Sequence, residues 1–356
     1  MTDVSATNAA EQRVQQFMVE FEGQWRLAAP AFEERGSKRA AFEAWRALMD
    51  ETRRRHFTDD TAVDLGQSFG SPAEYGPASS TFLRSERQGD AVHVLTRGTS
   101  GLRRFRDHTL RQQGGEWRIA SIASHPRDPV ERFVDEQTVA VSLGQVAEDA
   151  PLGSISDEQA QLDETLNFTE RVVVRPRDGE TTRTEVSEVG TLVTSTGVLA
   201  VLDFGYGNDD ARPLARTVAP GTYPIDRVTG FGRNAAVRVR FSDRVPVSWH
   251  PASLPAGGHV IGVDAGCGCI VDHVAYAAMT RRDKAAVYDR FTTAARPAVL
   301  EVPLGATDLG IAFDTGYGDG SYPVYWGVDE QGRTAQLVVD CMVLVAQDDD
   351  GVLTHL

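Results

Sequence analysis

The sequence predicts an α+β fold in two domains. Two stretches with apolar residues at helical spacing open the chain, and short alternating runs between turn signals follow them. The region after Asn167 is typical of a mainly β domain. Because 356 residues exceed one ordinary core, we expect a cone-like domain over residues 1–128, a helix and acidic linker over 129–166, and a sandwich-like domain over 167–356.

Two amphipathic helices are expected first. The first runs from about Thr7 to Ala29, where Pro30 ends it or begins a turn. The second runs from about Ser37 to Arg55, with Ser37 as its N-cap. Their apolar stripes are typical of core packing and comprise Val14, Phe17, Met18, Phe21 and Trp25 in the first helix and Phe42, Trp45, Leu48 and Met49 in the second.

Alternating runs between residues 79 and 125 predict a curved antiparallel sheet against these helices. Gln88-Gly89-Asp90 and Gly114-Gly115 lie where hairpins turn. Polar groups pointing into such a cone could serve an enzyme, with His93 and either Asp107 or His108 as candidates. Alternation more simply places His93 and Asp107 on the solvent face.

The second domain is expected to contain two packed sheets and one helical interval. Its strand candidates include RVVVRP, NAAVRVRFSD, PAVLEVPL and AQLVVDCMVLVAQ. The helical interval spans residues 272–295, with Asp272 as N-cap and a division into two helices near Arg281-Arg282-Asp283.

The net charge of −15 comes from the second part of the chain. Residues 1–130 carry 18 basic and 18 acidic side chains, whereas residues 131–356 carry 18 basic and 33 acidic ones. Such a surface repels phosphate groups, so we expect no nucleic-acid partner. It attracts a basic protein, although solubility alone is a sufficient reason for acidity in many proteins.

Nothing in the sequence predicts a membrane, secretory or metal-dependent protein. No apolar run reaches the roughly 20 residues of a membrane helix, and the N-terminus lacks the pattern of a secretory signal. Three cysteines do not make an even disulfide framework, so a cytoplasmic location with reduced thiols is expected. A zinc site at Cys267 and Cys269 would need a second pair of ligands. The nearby candidates, His259, His273 and Cys341, do not form such a pair in the sequence, so we expect no metal and no cofactor.

Glycine-rich loops carry the candidate site. In TGYGDGSYPVYWGVDEQG, residues 315–332, the spacing does not fit a calcium loop and favours tight turns. Alternation sends Tyr325 and Trp326 to opposite faces, so an exposed aromatic side chain beside acids is a plausible protein-contact site. No catalytic residue is identified; the possible binding cluster comprises Asp264, Asp272, Asp314, Asp319, Tyr322, Tyr325, Trp326 and Asp329.

Segments in both halves of the chain resemble known families. GVDAGCGCIVD, TGYGDGSYPVYWGVDEQG and LVVDCMVL resemble an uncharacterised bacterial domain family over about Val172 to Val345, and that resemblance implies no activity. FMVEFEGQWR, FEAWRAL and GGEWRIASI resemble immunity proteins of polymorphic toxin systems with the nuclear transport factor two-like fold. This second resemblance implies a cytoplasmic protein that binds and neutralises a cognate toxin.

The leading hypothesis is therefore an immunity-type protein whose acidic half docks a basic toxin. The alternative is a small-molecule enzyme that uses the cone or the acidic glycine-rich loops. The oligomeric state is not specified by any of these patterns.

Overall fold

The chain folds into two compact units, Met1–Glu131 and Arg132–Leu356. The computed structural model describes residues 3–33, 38–99, 104–153, 162–205, 211–255, 257, 260–291 and 298–356. Helices at the N-terminus precede a large curled antiparallel sheet, which confirms the predicted α+β class. Within the described residues, no helix is long and apolar enough to cross a membrane.

The first unit packs two helices on a four-stranded antiparallel sheet. The helices are α1 (Asp3–Glu33) and α2 (Lys38–His56). The strands are β1 (Ser80–Gln88), β2 (Ala91–Gly98), β3 (Phe105–Gln113) and β4 (Glu116–His125), paired in that order. The apolar stripes of both helices meet the sheet in one core, where Phe17, Trp45 and Leu110 are fully buried. The predicted stripes are therefore core, because burial of these rings supplies the main driving force for packing.

Helix α1 continues through Pro30 and ends at Glu33, beyond the predicted end of the helix. Proline removes one backbone hydrogen bond but leaves the final turn intact when side chains hold it. Here the ring of Phe32 stacks on Phe69, with ring centroids 3.8 Å apart, and meets Phe42 edge-on at 4.9 Å. Ser37, the predicted N-cap of α2, lies outside the described residues.

One curled antiparallel sheet of 11 strands forms the second unit. Its strands follow the path β11-β16-β17-β10-β9-β7-β15-β13-β8, with β12 also paired to β16 and β14 to β15. They are β7 (Glu185–Thr194), β8 (Leu199–Asp203), β9 (Gly221–Gly230), β10 (Arg233–Arg240), β11 (Ser248–Pro251), β12 (Val260–Val263), β13 (Cys267–Asp272), β14 (Val299–Leu304), β15 (Asp308–Asp314), β16 (Gly320–Val328) and β17 (Thr334–Asp340).

This unit contains one curled sheet and not the two packed sheets that were expected, and the curl brings distant strands to a common core. Trp249 of β11 and Val201 of β8 stand at opposite ends of the strand path, yet both belong to one buried apolar cluster. Two short hairpins accompany the sheet: β5 (Val172–Val174) with β6 (Thr181–Arg183), and β18 (Val345–Gln347) with β19 (Leu353–His355).

Helices cover the other face of β8 and β13. They are α4 (His273–Ala278) and α5 (Arg281–Phe291), and they confirm the predicted division near Arg281. Phe204, Tyr276 and Phe291 form their own core with this face, so both strands are buried on both sides. A further helix, α3 (Glu136–Leu143), lies in the 129–166 stretch. Two other residues of this stretch, Phe133 and Val134, belong to the same core as Phe204, Tyr276 and Phe291.

Candidate functional site

Two strand pairings bring the predicted acidic loops together. Val263, the last residue of β12, pairs with Gly320, the first residue of β16. Asp264 follows the former and Asp319 precedes the latter, so the two acids adjoin the same pairing. The backbone N–H of Thr315 donates to the carbonyl of Gly266 at 3.2 Å and ties the second loop to the first. We call residues 264–266 and 314–319 the acidic loops.

The acidic loops present charge and an aromatic ring to solvent. Asp264 and Asp319 are exposed, and Tyr317 is 52% exposed. Within the described part of the chain, neither Asp264 nor Asp319 forms an ion pair. The backbone N–H of Asp264 donates to Asp203 Oδ2 at 2.7 Å, which adds another carboxylate to this end of the sheet.

Hydroxyl groups and glycines shape the second loop. Gly316 and Gly318 have φ values of 72° and 93°, in the left-handed region that favours glycine. Thr315 Oγ1 and Tyr322 Oη both donate to the carbonyl of Gly318, at 2.6 and 2.9 Å. In the described residues, the acids of these loops do not form a group with the spacing of metal ligands. The loop therefore turns a corner, and the exposed side chain of Asp319 belongs to it.

Arg233 is a cation beside the acidic loops. Its guanidinium lies 5.1 Å from the ring centroid of Tyr317, and its Nη1 donates to the carbonyl of Gly316 at 2.7 Å. This contact holds the ring in place from one side. The carboxylate of Asp314 is half-buried and accepts the backbone N–H of Gly316 at 2.7 Å. Asp314 therefore helps to form the turn.

Asp272 is a buried N-cap, as the sequence predicted, and does not lie at the surface. Its carboxylate accepts the N–H of Ala275 at 3.0 Å at the start of α4. It also accepts hydrogen bonds from the hydroxyl groups of Thr194 at 2.6 Å and Thr196 at 2.7 Å. These contacts occupy both oxygens, so Asp272 is a structural residue and not part of a docking surface.

Asp329 is likewise held by its own turn. Its carboxylate accepts the backbone N–H groups of Gln331 and Arg333, each at 2.9 Å. It also pairs with the guanidinium groups of Arg333 at 3.0 Å and Arg244 at 3.3 Å. Hydrogen bonds to Arg333 and Gln331 outweigh burial and lower the pKa of Asp329, which keeps it ionised.

The aromatic members of the predicted set are mostly core. Trp326 is 1% exposed and Tyr322 is buried, and both belong to the core of the sheet. Tyr325 is half-buried. Burial, together with the charges of Glu164 and Asp340, raises the pKa of its phenol. Tyr317, which was not among the predicted residues, is the ring that reaches solvent.

The polar candidates of the first unit are buried, contrary to the expected solvent face for His93 and Asp107. Alternation itself holds, since Val92 and Val94 join the helix-facing core and His93 lies between them. His93 Nδ1 lies 3.3 Å from Asp107 Oδ1. His108 lies on the helix-facing side, where burial lowers the pKa of its imidazole to about 4.

None of the three cysteines forms a disulfide bond within the described residues, and all three are buried, as expected of inert thiols. Burial raises the pKa of the Cys269 and Cys341 thiols, which suppresses the reactive thiolate. His273 is buried as well, and His259 lies outside the described residues.

One polar cluster was not predicted from the sequence. Glu164, Asp340 and His355 place a ligating atom each within 4.8 Å of one another inside the second unit. They are far apart in the chain, so no local motif marks them. The available signal was a single one: Asp340 ends the apolar run LVVD, where an acid on a buried strand needs a partner.

One region of the chain matches a family model. No curated protein and no solved structure matches the sequence. The family match covers residues 192–339. This region contains every member of the predicted cluster from Asp264 to Asp329, while Glu164, Asp340 and His355 lie outside it. Residues 192–339 match the family described as Protein of unknown function (DUF4241), which confirms the resemblance of the C-terminal region to an uncharacterised family.

Proposed function

We propose that this protein is an immunity-type protein that binds and neutralises a basic toxin in the cytoplasm. The observation that carries the proposal is the pair of exposed carboxylates, Asp264 and Asp319, beside the exposed ring of Tyr317. Some acids of the same unit are neutralised within the fold, for example Asp226 by Arg238 at 2.7 Å. Asp264 and Asp319 form no ion pair within the described residues, so a partner's cations can pair with them.

In such a complex, complementary charge speeds the association of the two proteins, and a buried aromatic ring stabilises the interface. Long-range attraction raises association rates by orders of magnitude at low salt. A ring such as Tyr317 buries a large area with little loss of side-chain freedom, and rings of this kind are frequent hot spots. Since Arg233 already holds the Tyr317 ring, less ordering entropy is lost on binding.

The first unit supports docking more than small-molecule chemistry. Its two helices on a four-stranded antiparallel sheet are compatible with the resemblance to immunity proteins of the nuclear transport factor two-like fold. The space between helices and sheet is filled by rings: Phe17 lies 5.3 Å from Tyr75 and 5.2 Å from Phe57, and Phe21 lies 5.4 Å from Trp45. A filled interior favours binding through the surface.

Co-expression tests the proposal. Toxin genes that neighbour this one are expressed alone and together with the chain. We expect the chain to restore growth against one of them and to copurify with it. Growth that is not restored, with no complex recovered, contradicts the proposal.

A charge-reversal pair then tests the acidic loops. We expect Asp264→Lys with Asp319→Lys to abolish rescue. The matched control is Asp349→Lys with Asp350→Lys, which makes the same change of net charge on an exposed turn elsewhere in the unit. Equal rescue by both double variants would assign docking to another surface.

A further inference from the structure

A second site lies inside the second unit, away from the acidic loops. Glu164 and Asp340 are completely buried, and the side chain of His355 is 2% exposed. They come from three separate segments: the turn before β5, the end of β17, and β19. Among the described residues, no Lys or Arg side chain forms an ion pair with either carboxylate. Two such charges are costly in this place, because burial penalises each charge and their charges repel.

Each carboxylate has one oxygen satisfied and one oxygen unpaired. Glu164 Oε2 accepts a hydrogen bond from Asn167 Nδ2 at 2.7 Å, and Asp340 Oδ1 accepts the backbone N–H of Met342 at 2.7 Å. In the described part of the chain, the remaining oxygens, Glu164 Oε1 and Asp340 Oδ2, accept no hydrogen bond of normal geometry. Native proteins rarely bury unpaired acceptors, so a missing ligand is a physical explanation for both.

His355 supplies an independent indication of that ligand. Its Nε2 lies 3.8 Å from Glu164 Oε1, and neither ring nitrogen forms a hydrogen bond of normal geometry with any residue that the structure describes.

We propose that Glu164, Asp340 and His355 form a binding site for one divalent transition-metal ion, of which Zn²⁺ fits best. The ion would take one carboxylate oxygen from each of Glu164 and Asp340 and an imidazole nitrogen of His355, three residues whose ligating atoms already lie within 4.8 Å of one another. Ligands about 2.1 Å from a tetrahedral ion lie about 3.4 Å apart, so a small closure completes the geometry.

The ligand set selects the class of ion. Imidazole with two carboxylates suits Zn²⁺ and its neighbours, whereas Ca²⁺ and Mg²⁺ require six or more oxygens or waters. The Oδ1 of Asn167 is a further buried oxygen without a hydrogen-bond donor and adds a fourth protein atom to the neighbourhood.

A shared proton is the competing explanation. Burial raises the pKa of both carboxyl groups, that of Asp340 to about 6, and the two groups lie within hydrogen-bonding reach. A proton satisfies one pair of oxygens but leaves His355 without a function. A metal ion uses all three ligands and pins three distant segments to the sheet.

The experiment uses the full chain after treatment with a chelator. Zn²⁺ and Co²⁺ are titrated separately by calorimetry, and bound metal is counted by elemental analysis. We expect one equivalent to bind and to raise the melting temperature by at least about 5 °C at saturation. Co²⁺ is expected to develop the visible absorption of a tetrahedral site with a nitrogen ligand.

Variants separate the metal from the proton. His355→Ala is expected to lose at least about 100-fold in Zn²⁺ affinity, and Asp340→Asn to lose a similar factor. The control His250→Ala removes a half-buried histidine elsewhere on the sheet and should bind like the unaltered chain. Absence of stoichiometric binding by the unaltered chain overturns the proposal, and so does unchanged affinity in folded His355→Ala. The first result would assign the two carboxyl groups to a shared proton.

Discussion

The backbone of Gly316 lies directly against the carbonyl oxygen of Asn234: a Cβ added at Gly316 would lie 2.4 Å from that oxygen. Gly318, two residues further along the same acidic loop, has open space where its Cβ would be. Both residues have positive φ, so backbone strain is common to the two positions and crowding belongs to one.

Alanine at these two positions should therefore have unequal effects. Gly318→Ala is expected to cost about 1 kcal/mol of unfolding free energy, from the left-handed backbone alone. Gly316→Ala is expected to cost at least about 3 kcal/mol, because the carbonyl of Asn234 must also move. Urea unfolding followed by circular dichroism measures both. Equal costs would mean that the turn is not packed as described.

The N-cap of α4 should contribute far more than that of α3. Asp272 is buried and receives hydroxyl and N–H bonds from Thr194, Thr196 and Ala275. Asp272→Ala leaves these donors without an acceptor and is expected to lower the free energy of unfolding by at least about 3 kcal/mol. Asp135 caps the exposed start of α3, so Asp135→Ala should cost about 1 kcal/mol. Their midpoints in urea report the difference, and similar values would contradict the structural assignment of Asp272.

The first unit should lose stability on acidification through His108. Burial lowers the pKa of its imidazole to about 4, with Arg106 adding to this and Asp107 opposing it. In the unfolded chain the group takes up a proton near pH 6.5. The unfolded state thus binds more protons between these values, so stability is complete above pH 6.5 and falls as the pH drops towards 4.

The free energy of unfolding that is lost between pH 6.5 and about 4.5 should be smaller by about 2 to 3 kcal/mol in His108→Gln. Hydrogen exchange of the β2 and β3 amides measures the unit directly. The control is His250→Gln in the other unit, which should keep the original pH dependence of those amides. A His108→Gln slope equal to that of the unaltered chain would show that this imidazole does not resist protonation.

The cysteine thiols should be unreactive in the folded protein. All three are buried, and burial raises the pKa of the Cys269 and Cys341 thiols. A disulfide reagent at pH 8 is expected to modify none of them over an hour and all three in urea. Rapid modification of one thiol in the native state would reveal an exposed or activated cysteine.

Local patterns in this chain predicted what local physics determines. The helical stripes, the N-cap at Asp272 and the glycine turns follow from neighbours in sequence, and the structure has them. Strands β9 and β15 were not among the strand candidates. Pro224 and polar residues weaken the alternating pattern in β9, and Gly310 interrupts it in β15.

The sites depend on contacts between distant residues and were only partly predictable. The acidic loops contain glycines that mark them in sequence, but the pairing of Val263 with Gly320 sets which acids lie together. Glu164, Asp340 and His355 meet only because the C-terminal hairpin and the turn at Glu164 pack on the end of β17. No periodicity or spacing carries that information.

The most direct test of docking through the acidic loops is the association rate with the toxin recovered by co-expression, measured at about 50 mM and about 500 mM salt. We expect the Asp264→Lys and Asp319→Lys double variant to associate at least about tenfold more slowly at low salt and to lose most of its salt dependence. The Asp349→Lys and Asp350→Lys control should remain within about threefold of the unaltered chain. Equal slowing of both variants would contradict the account, because net charge and not the acidic loops would then govern capture.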